Sequence, residues 1–382
     1  MYEELYTAVQ KTNALACLEC GKCTSVCPVS RFSEDYSPRL MLNQAVKQDF
    51  EDLFANYNLW SCLTCQRCDQ VCPSAISYID LTQTLRNQAG SSQFKGQCSH
   101  SGVLETLQKM MTTTDLQQNR LDWVDDDLDI SIDQGEVLYF VGCAPYFDSF
   151  FANLELSTLD AAISSIKILN HLGIKPVLMP QERCCGHDLY WNGDITNFKM
   201  LAERNLEMIK ATGCKTILFS CAECQSAFQN LYVNSGFKVP WKLQHMSQFI
   251  AEKMEADELE LQSSDKPVTF QDPCRLGRHL DEYDAPRKVL QSNGDNNLVE
   301  MMQHGKGALC CGVSAWMNCD GTTRKIQNER LRQAEQTGAE TLAVACPKCH
   351  IHLQCTQQHR DDTDWSIAIK DISTITLERI KR

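Results

Sequence analysis

The sequence predicts an α+β multidomain protein, in which a helical N-terminal domain precedes two tandem, pseudo-symmetric α/β domains with small parallel sheets. Residues 1–95 contain helix-like segments and no alternating strand pattern. From residue 135 onward, short apolar runs alternate with helix-length segments, which is typical of a parallel sheet covered by helices. This second pattern occurs twice, because the CxxC pair that begins at Cys221 has a counterpart at Cys346, 125 residues later (221 to 346).

The helical domain is predicted over residues 1–95, and the polar stretch 96–134 is interpreted as a linker. Three segments with helical spacing of apolar residues support the helical prediction. These segments are 5–15, 38–46 and 78–86. The linker ends in three consecutive aspartates, 125–127, which are interpreted as a solvated charge run and not as a site.

The two α/β domains are predicted over 135–251 and 266–382, with a polar joint at 252–265. Each domain is expected to contain short buried strands that lead into cysteine-containing turns. The predicted strands are 137–141, 176–179, 216–219, 268–270, 298–301 and 341–344. Asp194 is the predicted cap of a helix in the first of these domains.

Composition limits the class of protein. The chain has 382 residues, of which 43% are hydrophobic and 22% charged, as in soluble globular proteins. The N-terminus lacks the pattern of a secretory signal, and no run of about 18 apolar residues predicts a membrane span. We therefore expect a cytoplasmic protein that can dock peripherally on a membrane partner. The net charge is −13 and no stripe of Lys and Arg stands out, so nucleic acid is not an expected partner.

The 22 cysteines are the most informative feature of the sequence. Closely spaced CxxC pairs in a long chain without a secretory signal favour metal binding over disulfides. Eight of these cysteines form two copies of the run C-x2-C-x2-C-x3-C-P, in which the fourth cysteine ligates the other cluster. The first predicted 4Fe-4S cubane is therefore held by Cys17, Cys20, Cys23 and Cys72, and the second by Cys62, Cys65, Cys68 and Cys27. A zinc site, the alternative, usually shows two separated CxxC pairs.

Ten further cysteines form two sets of five, one in each α/β domain. Each set has one cysteine after a strand, an adjacent pair followed by glycine, and a CxxC after a later strand. The first set is Cys143, Cys184, Cys185, Cys221 and Cys224, and the second is Cys274, Cys310, Cys311, Cys346 and Cys349. The carboxyl ends of parallel strands share one edge of a sheet, so the five thiols of a set can converge there. Gly186 and Gly312 are expected to allow a tight turn beside the metal.

Five thiols at one site indicate something other than an ordinary cubane, because the side chains of adjacent cysteines are expected to diverge. Spare or alternating ligands remain open, as does a zinc site with one redundant cysteine. Four cysteines lie outside every motif and receive no role. They are Cys98, Cys214, Cys319 and Cys355.

The doubled C-xn-CCG-xm-CxxC pattern resembles the cysteine-rich domain of heterodisulfide reductases. The N-terminal part resembles their C subunit, including Ser37-Pro38-Arg39 and the residues from Trp60 to Cys65, and the two CCG domains resemble their B subunit. The fused order resembles the D subunit of the membrane-linked form. The N-terminal domain is thereby identified as a helical two-cubane ferredoxin domain.

This resemblance implies a non-cubane 4Fe-4S cluster at each five-cysteine set. It also implies reduction of a disulfide such as CoM-S-S-CoB by homolytic S–S cleavage between the two clusters. Electrons would enter through the cubanes from a flavin-containing A-like subunit or a membrane cytochrome b subunit. The alternative is an electron-transfer subunit of a flavin-dependent dehydrogenase, of the glycolate oxidase or anaerobic glycerol-3-phosphate dehydrogenase type. A structural zinc protein is disfavoured by the ferredoxin motifs.

Two histidines and a basic cluster adjoin these cysteines. His187 follows CCG and His350 follows the second CxxC, so either can supply a proton to a departing thiolate. The favoured interpretation is a hydrogen bond to a cluster sulfur. Arg275, Arg278 and His279 follow Cys274 and are either binding groups for an anionic thiol or ordinary surface charges.

Overall fold

The computed structural model of the chain describes residues 2–55, 57–90, 94, 96, 98–291, 297–360 and 365–381. Residues 1, 95 and 382, at which predicted domains begin or end, lie outside the described residues. The chain forms two compact units. The first contains Met1–Met110, Gly186–Phe198 and Leu309–Gln327, and the second contains Met111–Cys185, Lys199–Ala308 and Asn328–Arg382.

Helices supply the regular structure of the N-terminal part, as predicted. They are α1 (Tyr2–Lys11), α2 (Lys22–Val26), α3 (Pro38–Val46), α4 (Phe50–Ala55), α5 (Arg67–Val71), α6 (Tyr78–Gly90) and α7 (Val103–Met110). Helix α3 begins where the sequence favours a start, because the Ser37 side chain accepts a hydrogen bond from the Leu40 amide and Pro38 occupies the first turn. Helix α7 lies in the segment interpreted as a linker and buries Leu104 and Gln108.

Arg86 is the main polar anchor of this helical part. Its side chain is fully buried in α6, and its guanidinium donates to four carbonyl oxygens at 2.7–3.1 Å. The acceptors are Leu59, Trp60, Cys62 and Trp191. Since a buried carbonyl oxygen needs a donor, Arg86 ties α6 to the backbone that enters the second cysteine run.

In the part of the chain that the structure describes, the other α-helices and six strands follow residue 110. The helices are α8 (Ala144–Phe150), α9 (Leu159–His171), α10 (His187–Asn192), α11 (Ile195–Thr212), α12 (Ala222–Ser226), α13 (Met246–Glu255), α14 (Gly277–Leu280), α15 (Asp284–Leu290), α16 (Gly321–Glu335), α17 (Pro347–Gln358) and α18 (Ile372–Arg379). The strands are β1 (Val137–Phe140), β2 (Thr216–Phe219), β3 (Lys242–His245), β4 (Val268–Phe270), β5 (Thr341–Val344) and β6 (Ala368–Asp371). Asp194 caps α11, as predicted, since its carboxylate accepts from the Asn197 amide at 3.2 Å.

The strands form two parallel three-stranded sheets in the second unit, with the orders β1-β2-β3 and β4-β5-β6. The predicted strand at 176–179 is reduced to two parallel bridges of Val177, to Leu138 and to Ser131, and the one at 298–301 to a single parallel bridge, Leu298 to Val268. For the first of them the reason is local, because Pro176 lacks the amide hydrogen that a longer ladder requires. Strands β3 and β6 were not predicted.

Within the second unit the two repeats show exchanged packing, which means that each repeat packs one of its helices against a helix of the other repeat. Helix α9 of the first repeat contacts α18 of the second, and the equivalent helix of the second repeat, α15, contacts α13 of the first. The same pair of surfaces is therefore used twice, as expected for a duplicated domain with a local two-fold relation. Among the helices that the structure describes, none is both long enough and apolar enough to cross a bilayer.

The Arg86 anchor predicts a stability effect. Replacing Arg86 by Met leaves buried carbonyl oxygens without donors, so we expect a loss of about 3 kcal/mol and a lower urea midpoint of anaerobically purified protein. Arg31→Met is the control, because Arg31 is exposed and lies over the Phe32 ring. The control should change stability by less than about 0.5 kcal/mol. Equal midpoints for the two variants would contradict the anchoring role of Arg86.

Candidate metal centres

The thiols predicted for the first cubane surround one cavity in the first unit. Cys17, Cys20, Cys23 and Cys72 all line it. A short helix ends at Cys27 and another at Cys72, and the backbone is extended at both residues. In each cysteine run the backbone therefore changes direction at the fourth cysteine. This geometry directs the fourth thiol of each run away from the other three.

A second cavity of the same unit is lined by Cys27, Cys62, Cys65 and Cys68, the set predicted for the second cubane. Cys68 also lines the first cavity, so the two cavities are close neighbours. The two sites differ in exposure: Cys20 is exposed in the first, whereas Cys62, Cys65 and Cys68 are buried in the second.

The surroundings of these thiols suit a metal cluster. The backbone amides of Glu19 and Thr64 donate to the sulfurs of Cys17 and Cys62 at 3.4 and 3.3 Å. Burial raises the pKa of Cys27 to about 12, and it also raises the pKa of Cys62, although Arg86 opposes that shift. Buried thiols of this kind become thiolates when a cation binds them, which is the chemistry of an iron–sulfur site.

The first five-cysteine set meets at the carboxyl edge of the β1-β2-β3 sheet. Cys143 follows β1, and Cys221 follows β2. The Cys185 thiol is close enough to the thiols of Cys184 and Cys224 for both to lower its pKa, and the Cys221 thiol is close enough to raise the pKa of Cys224. Cys143 is close enough to raise the pKa of Cys185 electrostatically. The structure therefore brings all five thiols to one place.

The adjacent cysteines of this set do not diverge as expected. The Cys184 thiol is close enough to the Cys185 thiol to lower its pKa. Their backbone is held from outside the turn: the Asn205 amide donates to the Cys184 carbonyl at 2.9 Å, and the Tyr232 hydroxyl donates to the Cys185 carbonyl at 3.0 Å. The predicted divergence is thus wrong, and the number of thiols alone distinguishes this site from an ordinary cubane.

The glycines of both CCG motifs, expected to allow a tight turn, adopt the left-handed conformation. Gly186 has φ of +76° and Gly312 has φ of +94°. A Cβ atom at Gly186 would lie 2.9 Å from the Phe198 ring, and one at Gly312 would lie 2.9 Å from the Gln327 side chain. Both positions therefore combine a conformational and a steric requirement for glycine.

A buried ion pair that sequence reasoning missed braces the first site. The Glu182 carboxylate accepts from the Arg120 guanidinium at 2.8 Å and from the Val141 and Gly142 amides at 3.1 and 2.8 Å. Both charged side chains are almost fully buried. Burial raises the pKa of Glu182 to about 7, against the opposing effect of Arg120. Because Glu182 precedes Cys184 by two residues, the pair joins the Cys143 turn to the CCG turn.

The second repeat has an acidic brace at a different turn, the one that follows β4. Asp272 precedes Cys274 by two residues, and its two oxygens accept from the Arg287 guanidinium at 2.8 and 3.0 Å. Arg287 also donates to Glu300 at 2.6 Å. An acidic residue near each cysteine turn was the only sequence signal for these braces, and it is not distinctive without the partner arginine.

The thiols of the second five-cysteine set are divided between the two units. Cys274, Cys346 and Cys349 belong to the second unit, and the Cys349 thiol is close enough to the Cys346 thiol to lower its pKa. Cys310 and Cys311 belong to the first unit, so their grouping with the other three stays a prediction. Cys221 of the first set and Cys346 of the second are neighbours, because their thiols are close enough to shift each other's pKa.

The predicted histidines lie in different surroundings. His187 is buried, and its Nδ1 is 3.0 Å from the Asp188 carboxylate, which also accepts from Gln108 at 2.9 Å. His350 is half-buried and lines a pocket of about 390 Å³ in the second unit. Burial lowers the pKa of His350 to about 4, so its ring is neutral at neutral pH.

The basic residues after Cys274 are not surface charges. Arg275 and Arg278 are 2% and 7% exposed. Arg278 donates to the carbonyls of Ala308 and Lys306 at 2.9 and 3.3 Å, so its guanidinium has a structural role. The Arg275 guanidinium lies 2.5 Å from a ring nitrogen of His279.

The crossed assignment of ligands makes a prediction about iron content. Each of Cys20→Ala, Cys27→Ala and Cys65→Ala should lower the iron content by about one cluster's worth. Cys27→Ala should remove the same electron paramagnetic resonance signal as Cys65→Ala, although Cys27 belongs to the sequence run of Cys20. Cys214→Ala is the control, since this buried cysteine lies outside every motif. If Cys27→Ala removed the signal that Cys20→Ala removes, the crossed assignment would be wrong.

The Glu182 brace makes a second prediction. Glu182→Ala leaves the buried Arg120 without its carboxylate and two amides without an acceptor, so we expect a loss of about 3–5 kcal/mol. A lower urea midpoint, with less iron retained, is the expected measurement. Glu136→Ala is the matched control, because Glu136 pairs with Lys215 on an exposed surface and should have little effect. The brace has no structural role if both variants unfold at the same midpoint.

Comparisons with known proteins identify the domains of the chain. Residues 137–229 and 268–354 match the family described as "Cysteine-rich domain", abbreviated CCG, and residues 13–76 match "4Fe-4S dicluster domain". The chain is 30% identical, over 272 residues, to the D subunit of a dihydromethanophenazine:CoB–CoM heterodisulfide reductase from Methanosarcina barkeri. That alignment covers 69% of this chain and 63% of the relative, so the chain spans less than two thirds of the relative's length.

Other relatives have different names. A probable membrane-anchored ferredoxin from Chromohalobacter salexigens is 27% identical over 390 residues, which cover 89% of this chain and 56% of the relative. An EtfAB:quinone oxidoreductase from Syntrophomonas wolfei is 26% identical over 228 residues, which cover 56% of this chain and 30% of the relative. The chain therefore carries one 4Fe-4S dicluster domain and two CCG cysteine-rich domains, and it is homologous to the D subunit of heterodisulfide reductases.

Proposed function

We propose that this chain is the iron–sulfur catalytic subunit of a disulfide reductase, which reduces a small disulfide such as CoM-S-S-CoB to two thiols. The observation that carries the proposal is the proximity of the two CxxC turns: Lys348 Nζ lies 2.6 Å from Glu223 Oε2, and the Cys221 and Cys346 thiols are close enough to shift each other's pKa. Cleavage of one S–S bond takes two electrons and two protons and gives two thiols. Two neighbouring redox sites suit a reaction of that stoichiometry.

Two of the cysteine sites would deliver electrons, and the other two would carry out the cleavage of the disulfide. The cavities lined by Cys17, Cys20, Cys23 and Cys72 and by Cys27, Cys62, Cys65 and Cys68 would hold two cubane clusters. The two five-cysteine sets would hold two non-cubane 4Fe-4S clusters. When bound, these clusters supply the electrons for S–S cleavage.

The chain's own groups position the reaction. The Glu182–Arg120 pair and the Asp272–Arg287 pair would hold the cysteine turns at the two strand ends. Arg275 is the group we assign to an anionic part of the substrate, because a guanidinium matches the geometry of carboxylate and phosphate groups. Its side chain is buried beside a ring nitrogen of His279. His187 is the better candidate for a proton donor, since its Nδ1 is paired with the Asp188 carboxylate at 3.0 Å, whereas burial keeps His350 neutral.

A partner must deliver the electrons. The exposure of Cys20 favours electron transfer into the first cubane site, where a partner protein can approach the cluster closely. A flavin-containing A-like subunit or a membrane cytochrome b subunit would fill this role, with the chain in the cytoplasm or bound peripherally to that partner.

Turnover with disulfides tests the proposal. Protein purified without oxygen and fully loaded with iron is mixed with a reduced viologen dye, and a panel of disulfides is added with CoM-S-S-CoB first. We expect rapid dye oxidation with one disulfide and slow oxidation with the others. Protein in which Cys185→Ala removes one thiol of the first set serves as the control and should be inactive.

The relative named as a quinone oxidoreductase supports a second candidate, an electron relay in a flavin-dependent dehydrogenase. If no disulfide oxidises the dye while a soluble quinone does so in the fully loaded protein, the relay is correct and the reductase is excluded.

A further inference from the structure

The middle residues of the two CxxC motifs form a buried ion pair within the second unit. Glu223 lies between Cys221 and Cys224, and Lys348 occupies the equivalent position of the second repeat, 125 residues later (223 to 348). The Lys348 Nζ is 2.6 Å from the Glu223 Oε2, and the two side chains are only 5% and 10% exposed. Thus one position of a duplicated motif carries opposite charges in the two copies, and these charges meet.

Local electrostatics make Lys348 dependent on this partner. Lys348 lies in the first turn of α17, where the helix dipole is unfavourable for a cation. Glu223 lies in the first turn of α12, where the dipole favours an anion. A buried ammonium at the positive end of a helix needs a compensating carboxylate, and Glu223 supplies it across the boundary between the repeats.

A second contact joins the repeats at the same point. The Cys221 and Cys346 thiols, each two residues from a member of the ion pair, are close enough to shift each other's pKa. Just past Glu223, α12 continues into a π-helical turn, Ala227–Tyr232, and such turns are frequent at functional sites. The ion pair therefore holds the two CxxC turns together at the point where their thiols are neighbours.

We propose that Glu223 and Lys348 are positioning residues that hold the two CCG sites at a fixed separation, so that one electron passes directly from one site to the other. In this step one site is oxidised and the other reduced by one electron, while no bond forms or breaks and no proton moves. The inference rests on the proposed function in one respect, since it requires an iron–sulfur cluster at each CCG site.

The test measures the magnetic interaction between the two sites. Three variants are prepared without oxygen and assayed for iron: Glu223→Lys, Lys348→Glu and the double reversal. Electron paramagnetic resonance of partly reduced samples then reports the spin–spin interaction between the CCG sites. Each single reversal should lose this interaction, because like charges separate the turns, and the double reversal should restore it. Restoration separates the ion pair from a merely structural role of either residue.

Two further proteins keep the test decisive if a single reversal fails to fold. The neutral double variant Glu223→Gln/Lys348→Met buries no unpaired charge, so it should fold, retain iron and show a weakened interaction. A reversal of the exposed pair Lys242–Glu252 is the matched control and should leave the spectrum unchanged. The inference is overturned if the neutral variant keeps the full interaction of the wild type, or if the wild type shows none.

The outcomes also separate this inference from the proposed function. A wild-type protein that shows the interaction but reduces no disulfide would overturn the reductase and leave the coupling intact. A wild-type protein that reduces a disulfide, while the reversed variants keep the interaction, would overturn the coupling alone.

Discussion

The parallel order of two very small sheets is the constraint on which the rest of the structure depends. Because every strand runs in the same direction, the cysteines that follow β1 and β2, or β4 and β5, emerge at one edge. A three-stranded sheet of such short strands buries little surface, so the sheets are stabilised largely by the exchanged packing of α9 on α18 and of α13 on α15. The duplication therefore stabilises the fold and also brings the two sets of thiols together.

The charged residues around the sites show how loops without regular structure are held. At both turns, buried carboxylates accept hydrogen bonds from arginines, and each acidic residue is two positions from a cysteine. Such pairs contribute less to net stability than to geometry, because the desolvation of two charges offsets much of their attraction. Their value here is that a cysteine turn cannot move without separating an ion pair.

The helical N-terminal part and the two parallel sheets were predictable, because cysteine spacing and buried strands leave clear traces in a sequence. Strands β3 and β6 were missed because they are edge strands with mixed polar and apolar residues, which give no buried run. Arg86, Arg120 and Lys348 were missed because a buried cation is identified by partners that are distant in sequence. The spacing of apolar residues predicts which side chains are buried, so a charged residue is predicted to be exposed. The ion pairs that hold the sites therefore required coordinates.

The opposite charges at Glu223 and Lys348 also determine which repeats could pair if the repeats were separate chains. If each repeat were made as a separate chain, two copies of the first would place glutamate against glutamate at the local axis, and two copies of the second would place lysine against lysine. Each self-pairing buries like charges, whereas the mixed pairing does not. A gene divided at the joint between the repeats would accordingly yield an obligate heterodimer. In the fused chain the two repeats are thus complementary at this position. Neither repeat could take the place of the other in the pair.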